Sequence, residues 1–307
     1  MSIVCPVCGS VKIVPTDFSV TVWDGKEFTV SYCTDCYLYF LPKQPSVEDI
    51  EKHYKLTYYS YSKPVLIIKL FFRKLRALNQ YDFIASRINL KEGRVLEIGA
   101  AEGYLLKQFK NAGNNIVGTE YSDFMRAVAL NKLHIQLMNT DFFAFDEKVK
   151  YDLILMSHVF EHFQELSPVV EKVKRLLKPG GYFFIEVPNS PKKEDVELTV
   201  LRDYLNTEHF YNFNAGNLRT VVEKFRFLVV DVKRFDYSHI HWRGDAGFAV
   251  KRCLLTGQIR GISDFFGFLG FVVFSFFDKK NAYEEVPIES DWNGFGDSVR
   301  LLCRYFP

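Results

Sequence analysis

Arg94-Val-Leu-Glu-Ile98-Gly-Ala-Ala-Glu-Gly103-Tyr-Leu-Leu106 is a short apolar run that breaks on small residues and resumes as a helix-length segment. Val95–Ile98 reads as a strand and Tyr104 as the first residue of a helix, with Gly99 to Gly103 as the turn between them. Glycine at such a turn lets a ligand approach the backbone, and the helix N-terminus offers free N–H groups. Only Gly99 and Gly103 are present, not the three glycines of G-x-G-x-x-G, so the spacing disfavours a nicotinamide dinucleotide. From Arg94 to Val187 short apolar strands alternate with helix-length segments, which predicts a mostly parallel α/β sheet.

Further along, Asn115-Ile-Val-Gly-Thr119 reads as the second strand and ends at Glu120. A carboxylate at that strand end can accept both hydroxyls of a ribose lying across the crevice, which points to an adenosine-type ligand. Asp141, in Asn139-Thr-Asp-Phe142, follows the predicted third strand. There it can bond an amino group while Phe142 flanks a base.

Outside this core the cysteines carry the strongest spacing. Cys5 and Cys8 form one C-x-x-C and Cys33 and Cys36 another. Two such knuckles can close a tetrahedral thiolate shell around a structural zinc. Between them, Phe18 to Trp23, Asp24-Gly25 and Lys26 to Tyr32 read as a hairpin, so residues 1–45 predict a zinc ribbon. Cys253 and Cys303 have no such partners and read as buried thiols.

Residues 46–90 predict a helical linker that starts on an N-capping Ser46 and is crowded by Tyr54, Tyr58, Tyr59 and Tyr61. Lys69, Arg73 and Arg76 share one face of a basic amphipathic helix over 64–78, which suits a solvated face or a contact with an anionic membrane. Hydrophobic residues at 48% and charged residues at 25% exclude a disordered chain, and 39 basic against 37 acidic residues argue against a broad nucleic-acid footprint. The Met1 start, with no apolar run behind it, predicts a cytoplasmic protein.

Glu97 to Gly103, Glu120, Asp141, Tyr151 to His162 and Arg175 to Asn189 resemble the successive motifs of class I S-adenosylmethionine-dependent methyltransferases, over about residues 90 to 235. The resemblance implies a seven-stranded Rossmann-like sheet. It also implies that Glu97, Gly99, Ala100 and Gly103 line the methionine end of S-adenosylmethionine, Glu120 holds the ribose, Asp141 and Phe142 meet the adenine, and His158 stands near the cofactor. With the cysteine ribbon, the chain is similar to bacterial methyltransferases of sugar, polysaccharide and secondary-metabolite pathways. The glycine common in such relatives within Glu223–Phe227 is absent here.

A sulfonium methyl is already activated, so such an enzyme chiefly orients its acceptor, an effect worth about 7–11 kcal/mol. A hydroxyl or a carbon beside a carbonyl also needs a base. His158, Glu161 and His162 would share one helical face, with His162 a base or the trio a metal site. His209, in a segment that borders the acceptor pocket in the family, is the first candidate base. Residues 91–235 and 297–307 are then the cofactor-binding core, with Asp297–Tyr305 as the seventh strand. Residues 236–296 form a helical insertion and possible acceptor cap; Phe265 to Phe277 there contains seven phenylalanines, and His239, His241 and Trp242 precede it. Plain packing, a lipid-like acceptor or membrane contact through 64–78 and 265–277 all suit that stretch. The expected activity is O- or C-methylation of a sugar, nucleotide sugar or lipid-linked saccharide. The alternatives are an RNA methyltransferase gripping RNA with its ribbon, or a non-catalytic adaptor.

Overall fold

The computed structural model describes residues 3–20, 26–50, 52, 63–190, 205, 208–236, 284–286 and 298–307. Asp24-Gly25, the four linker tyrosines, the Lys69 side chain, His239, His241, Trp242, Cys253 and the phenylalanine-rich stretch lie outside the described residues or side chains.

Three strands open the chain: β1 (Ile13–Val20), β2 (Phe28–Cys33) and β3 (Tyr39–Phe40). The order then runs α1 (Lys63–Ala85), β4 (Arg94–Ile98), α2 (Tyr104–Asn111), β5 (Asn115–Gly118), α3 (Asp123–Leu133), β6 (Tyr151–Ser157), α4 (Leu166–Leu176) and β7 (Leu177–Pro188). After these come β8 (Tyr211–Asn212), α5 (Ala215–Lys224), β9 (Phe227–Asp236), β10 (Glu284–Val286) and β11 (Ser298–Tyr305).

The main sheet has the order β10-β9-β11-β7-β6-β4-β5. Pairing is parallel from β5 to β7 and antiparallel where β11 meets β7 and β9 and where β10 meets β9. The sheet is therefore mixed yet mostly parallel, since β9 runs with β4 to β7 and only β11 and β10 oppose them. Six strands form its body and β10 is a three-residue edge. The expected third strand is reduced to one bridge, Thr119 with Met138. The left-handed His134 ends α3 just before it, and the chain turns at Asp141 just after it. Of the insertion, the described residues form a strand, not a helix.

Alternate strand residues serve opposite faces and both faces are covered, so the central strands are mostly apolar. Leu96, Ile98, Ile154, Met156, Phe183 and Ile185 face a core shared with α4, α5 and the cysteine-bearing strands. Val95, Leu153, Leu155 and Phe184 face α1 and α2. The N-terminal strands therefore share the main core. They also complete a second sheet, β1-β2-β3-β8, whose last strand comes from beyond β7.

Ser46 and Asp49 exchange hydrogen bonds at the predicted helix start, Asp49 N donating to Ser46 Oγ (3.2 Å) and Ser46 N to the Asp49 carboxylate (3.3 Å). The basic face of α1 turns inward: Arg73 pairs with the buried Glu102, and Leu70, Leu75 and Ala77 are buried. Nothing in this packing supports membrane contact through 64–78, and no described helix is long and apolar enough to cross a membrane. Cys303 is buried, its thiol donating to Phe183 O (3.5 Å).

Between α5 and β9 the turn needs a left-handed residue, and Arg226 supplies it at φ 62°. This is where the family's missing glycine would stand. Because a side-chain-bearing residue pays for that conformation while glycine does not, Arg226→Gly is expected to stabilise the fold by about 1 kcal/mol, read from urea unfolding midpoints.

Candidate active site

The turn after β4 is built on three left-handed residues, Gly99 (φ 66°), Ala101 (φ 48°) and Gly103 (φ 76°). A Cβ on Gly99 would stand 2.5 Å from Val159 Cγ2, so the turn lies against the loop after β6. Ala100 N donates to Thr119 O (2.8 Å), fastening the turn to the end of β5. Glu120 then reaches back: its carboxylate accepts from Ala101 N (2.9 Å) and Ser122 N (2.8 Å). Each oxygen keeps a lone pair for a further donor. Burial raises the Glu120 carboxyl against those two bonds.

Glu97, on β4, is 3% exposed, and its Oε2 has no hydrogen-bond partner. Burial, reinforced by the charges of Glu120 and Glu102, pushes its carboxyl up to about 8. A buried carboxyl oxygen without a donor is costly, and an ammonium group would satisfy it.

Asp141 accepts from Phe143 N (2.7 Å) and from the Tyr121 hydroxyl (3.1 Å). Phe142 is 3% exposed and packs at a tilt against Phe143 and Phe163, whereas Phe143 is 45% and Tyr121 68% exposed. The open aromatic surfaces beside Asp141 thus belong to Tyr121 and Phe143, which the sequence reading passed over. Their adjacency to Glu120 and Phe142 was the available signal.

The expected helical face at 158–162 is absent. His158 is left-handed (φ 53°), and Phe160–His162 is one 3-10 turn. These bends gather three imidazoles about Glu161 instead. His158 Nδ1, His209 Nε2 and His162 Nε2 lie 3.7, 3.8 and 4.0 Å from Glu161 Oε1. The His162 and His209 rings meet edge to face at 4.9 Å. Glu161 is fully buried, neither of its oxygens has a hydrogen-bond partner among the described residues, and burial pushes its carboxyl up to about 8. His209 lies well below the usual histidine range, first from burial and then from the neighbouring His162 and His158. His158 is lowered by burial and Arg76, while Glu186 opposes this.

Glu186 and Arg300 are a further pair that single motifs do not reveal. Both are fully buried, Arg300 Nε donates to Glu186, and Glu186 Oε1 lies 3.2 Å from His158 Nε2. Burial would raise the Glu186 carboxyl, but Arg300 and His158 hold it well below the usual carboxylate range.

The sulfurs of Cys5, Cys8, Cys33 and Cys36 all lie within 4.8 Å of one another, with Cys5–Cys36 at 3.6 Å and Cys8–Cys33 at 3.5 Å. Tetrahedral zinc with Zn–S of about 2.3 Å needs sulfur separations of about 3.8 Å, so the set fits such an ion. Gly9 (φ 79°) and Tyr37 (φ 61°) follow the two pairs as matching left-handed turns. The cluster is tied to the rest of the molecule: Asn214 and Asn217 donate to Cys36 O (both 3.3 Å), and β3 pairs with β8, Tyr39 opposite Asn212 and Phe40 opposite Tyr211. Beside β8, Phe210 N donates to Glu161 O (3.0 Å), which fixes His209 over the glutamate.

A carboxyl whose folded pKa is raised stabilises the fold below its unfolded pKa, and that contribution fades as pH rises toward the folded value. The protein without ligand should therefore lose thermal stability between about pH 4.5 and pH 8, and Glu97→Gln should shrink that loss, measured as melting temperature against pH for both proteins.

A family profile described as a methyltransferase domain matches residues 71–232. The chain is 32% identical over 164 residues to C-methyltransferase NovU of Streptomyces niveus, covering 50% of this chain and 38% of that protein. It is 23% identical over 158 residues to the ubiquinone biosynthesis O-methyltransferase of Xanthomonas oryzae pv. oryzae (strain PXO99A), covering 46% of this chain and 65% of that protein. Both matches thus span less than two thirds of the relative's own length. The crystal structure of a SAM-dependent methyltransferase from Archaeoglobus fulgidus has a TM-score of 0.48 at 16% identity, covering 80% of this chain and 100% of that one. Since the profile takes in over half of the sequence, from α1 through the glycine turn and the histidine cluster into β9, the chain belongs to the methyltransferase-domain family.

Proposed function

We propose that the protein transfers a methyl group from S-adenosylmethionine to a small-molecule acceptor, a sugar, nucleotide sugar or lipid-linked saccharide, by O- or C-methylation. The observation that carries the cofactor reading is the unpartnered buried oxygen of Glu97 beside Glu120, at the ends of adjacent strands over the left-handed turn. Glu97 with Gly99, Ala100 and Gly103 takes the methionine end, where the ammonium group meets the glutamate. Glu120 takes the ribose hydroxyls on its remaining lone pairs. Asp141 takes the adenine amino group, with Phe142 beneath and Phe143 and Tyr121 alongside. His158 stands beside the cofactor's reactive end. S-adenosylmethionine supplies a methyl on a positively charged sulfur, already activated for displacement.

What the chain itself contributes is orientation and proton handling. Burial keeps His209 neutral near pH 7, so its free nitrogen can accept a proton from an acceptor hydroxyl or carbon acid, with His162 edge to face against it. The likeness to a C-methyltransferase and to an O-methyltransferase supports transfer to carbon or oxygen. Zinc at the four-cysteine cluster has a structural role: residues 1–45 form a ribbon on Cys5, Cys8, Cys33 and Cys36, docked through β3 on a core of residues 91–235 and 297–307. Residues 46–90 link the two, and residues 236–296 are an insertion in the sequence before the last strand.

Calorimetric titration tests the cofactor reading. S-adenosylmethionine and its demethylated product are expected to bind in the micromolar range, and Glu120→Ala to weaken both at least about tenfold, the scale of a charged hydrogen bond. Absence of binding to the wild-type protein overturns it.

Because the ribbon holds the segment that carries His209, Cys5→Ser is expected to abolish zinc binding. With a sugar acceptor it should lower kcat at least about tenfold, leaving S-adenosylmethionine affinity within about threefold. Metal analysis finding no zinc in the wild-type protein rejects the zinc assignment.

A further inference from the structure

Glu161 poses a problem that the fold does not solve. It is fully buried, both of its oxygens lack a hydrogen-bond donor among the described residues, and three imidazoles surround Oε1 at 3.7 to 4.0 Å. These separations are too long for hydrogen bonds. We propose that Glu161, His162 and His209, with His158 beside Glu161, form a divalent-metal site for a first-row transition ion, separate from the cysteine cluster.

Three observations carry the site. First, one ligand atom from each of Glu161, His162 and His209 lies within 4.8 Å of the others. Around an ion at about 2.1 Å from each donor, neighbouring donors stand about 3.4 Å apart, so His209 and His162 each draw in toward Glu161 from 3.8 and 4.0 Å as the ion binds. Second, the donors are imidazole nitrogens and one carboxylate, a set that suits zinc, cobalt, nickel or iron over magnesium or calcium, which prefer oxygen. Third, the surroundings orient the ligands. His158 turns Nε2 to Glu186 (3.2 Å), itself held by Arg300, which points Nδ1 at Glu161. A second carboxylate behind a ligating imidazole is the usual arrangement at metal sites. Phe210 N holds the Glu161 carbonyl, locking the His209 segment to the turn that carries the other ligands.

The site's role deepens the methyl-transfer reading and rests on it, whereas its existence does not. The bound ion takes the acceptor's oxygen, whose hydroxyl proton then passes to solvent more readily. The oxygen attacks the methyl carbon while the carbon–sulfur bond breaks toward sulfur. The imidazoles then act as ligands, and the ion takes over the acidifying work assigned above to a free base.

The test is titration of the full chain, purified with its zinc, with cobalt(II). One equivalent is expected to bind in the micromolar range with weak visible bands and without the near-ultraviolet charge-transfer absorption of a cobalt thiolate. Glu161→Gln and His209→Ala should each weaken binding at least tenfold, with His162→Gln as the alternative if circular dichroism shows either one misfolded. No uptake of cobalt(II) or of zinc(II) beyond the cysteine-bound ion, or variants that bind as the wild type does, overturns the site. A parallel titration with S-adenosylmethionine separates the two readings, since its failure would overturn methyl transfer and leave a cobalt-binding site standing.

Discussion

Two residues of strand pairing, Tyr39 and Phe40 on Asn212 and Tyr211, join parts of the chain that are far apart in sequence. On one side they continue the sheet that begins at the cysteine knuckles. On the other they hold the segment in which His209 and Phe210 meet Glu161. An isolated two-residue bridge would be worth little, but this one is clamped at both ends. Leu41 N donates to Phe210 O (3.0 Å), the Tyr211 hydroxyl donates to Gln164 O (2.6 Å), and Asn214 and Asn217 cap α5 while donating to Cys36 O. The N-terminal strands bury Val30, Tyr32, Tyr39 and Phe40 in the same core as Phe160 and Phe213. Placement of the histidine cluster is thereby a property of the whole N-terminal sheet.

The second organising feature is the number of buried glutamates at the carboxyl ends of the central strands, where burying a charge is costly unless it is paired. The fold meets each differently. Glu186 lies between Arg300 and His158; Glu102 has Arg73; Glu120 has two backbone N–H groups. Glu97 and Glu161 keep oxygens with no donor, and both are pushed up to about 8. The fold thus satisfies three acids and leaves two, Glu97 and Glu161, where the proposed ammonium and metal ligands would sit. The inward face of α1 belongs to the same pattern, since Arg73 and Arg76 bring positive charge toward these acids.

The strand at 95–98, the glycine turn, Glu120 at a strand end and the two C-x-x-C pairs were legible because each is a local pattern with one physical reading. Strand-to-helix turns with left-handed residues need glycine, and knuckles need cysteines three apart. The errors have local causes too. A spacing of three and four at His158, Glu161 and His162 suits a helix, but a left-handed His158 and a single 3-10 turn produce the same convergence. The basic stripe of α1 looks the same from sequence whether it faces water or a buried acid. Phe142 and Phe143 are adjacent aromatics, and only packing decides which is covered.

The sequence by itself therefore determined the strand–turn–helix at 94–106, the cysteine knuckles and the acids at the strand ends, since helix and strand periods, thiol spacing and glycine turns act over a few residues. Tertiary structure alone decided that β11 inserts antiparallel between β7 and β9, that Arg300 neutralises Glu186, and that β8 joins the N-terminal sheet and carries His209 to Glu161. Those outcomes depend on pairings between residues more than a hundred positions apart, set by which apolar faces and buried charges can be satisfied together rather than by any run of neighbouring side chains.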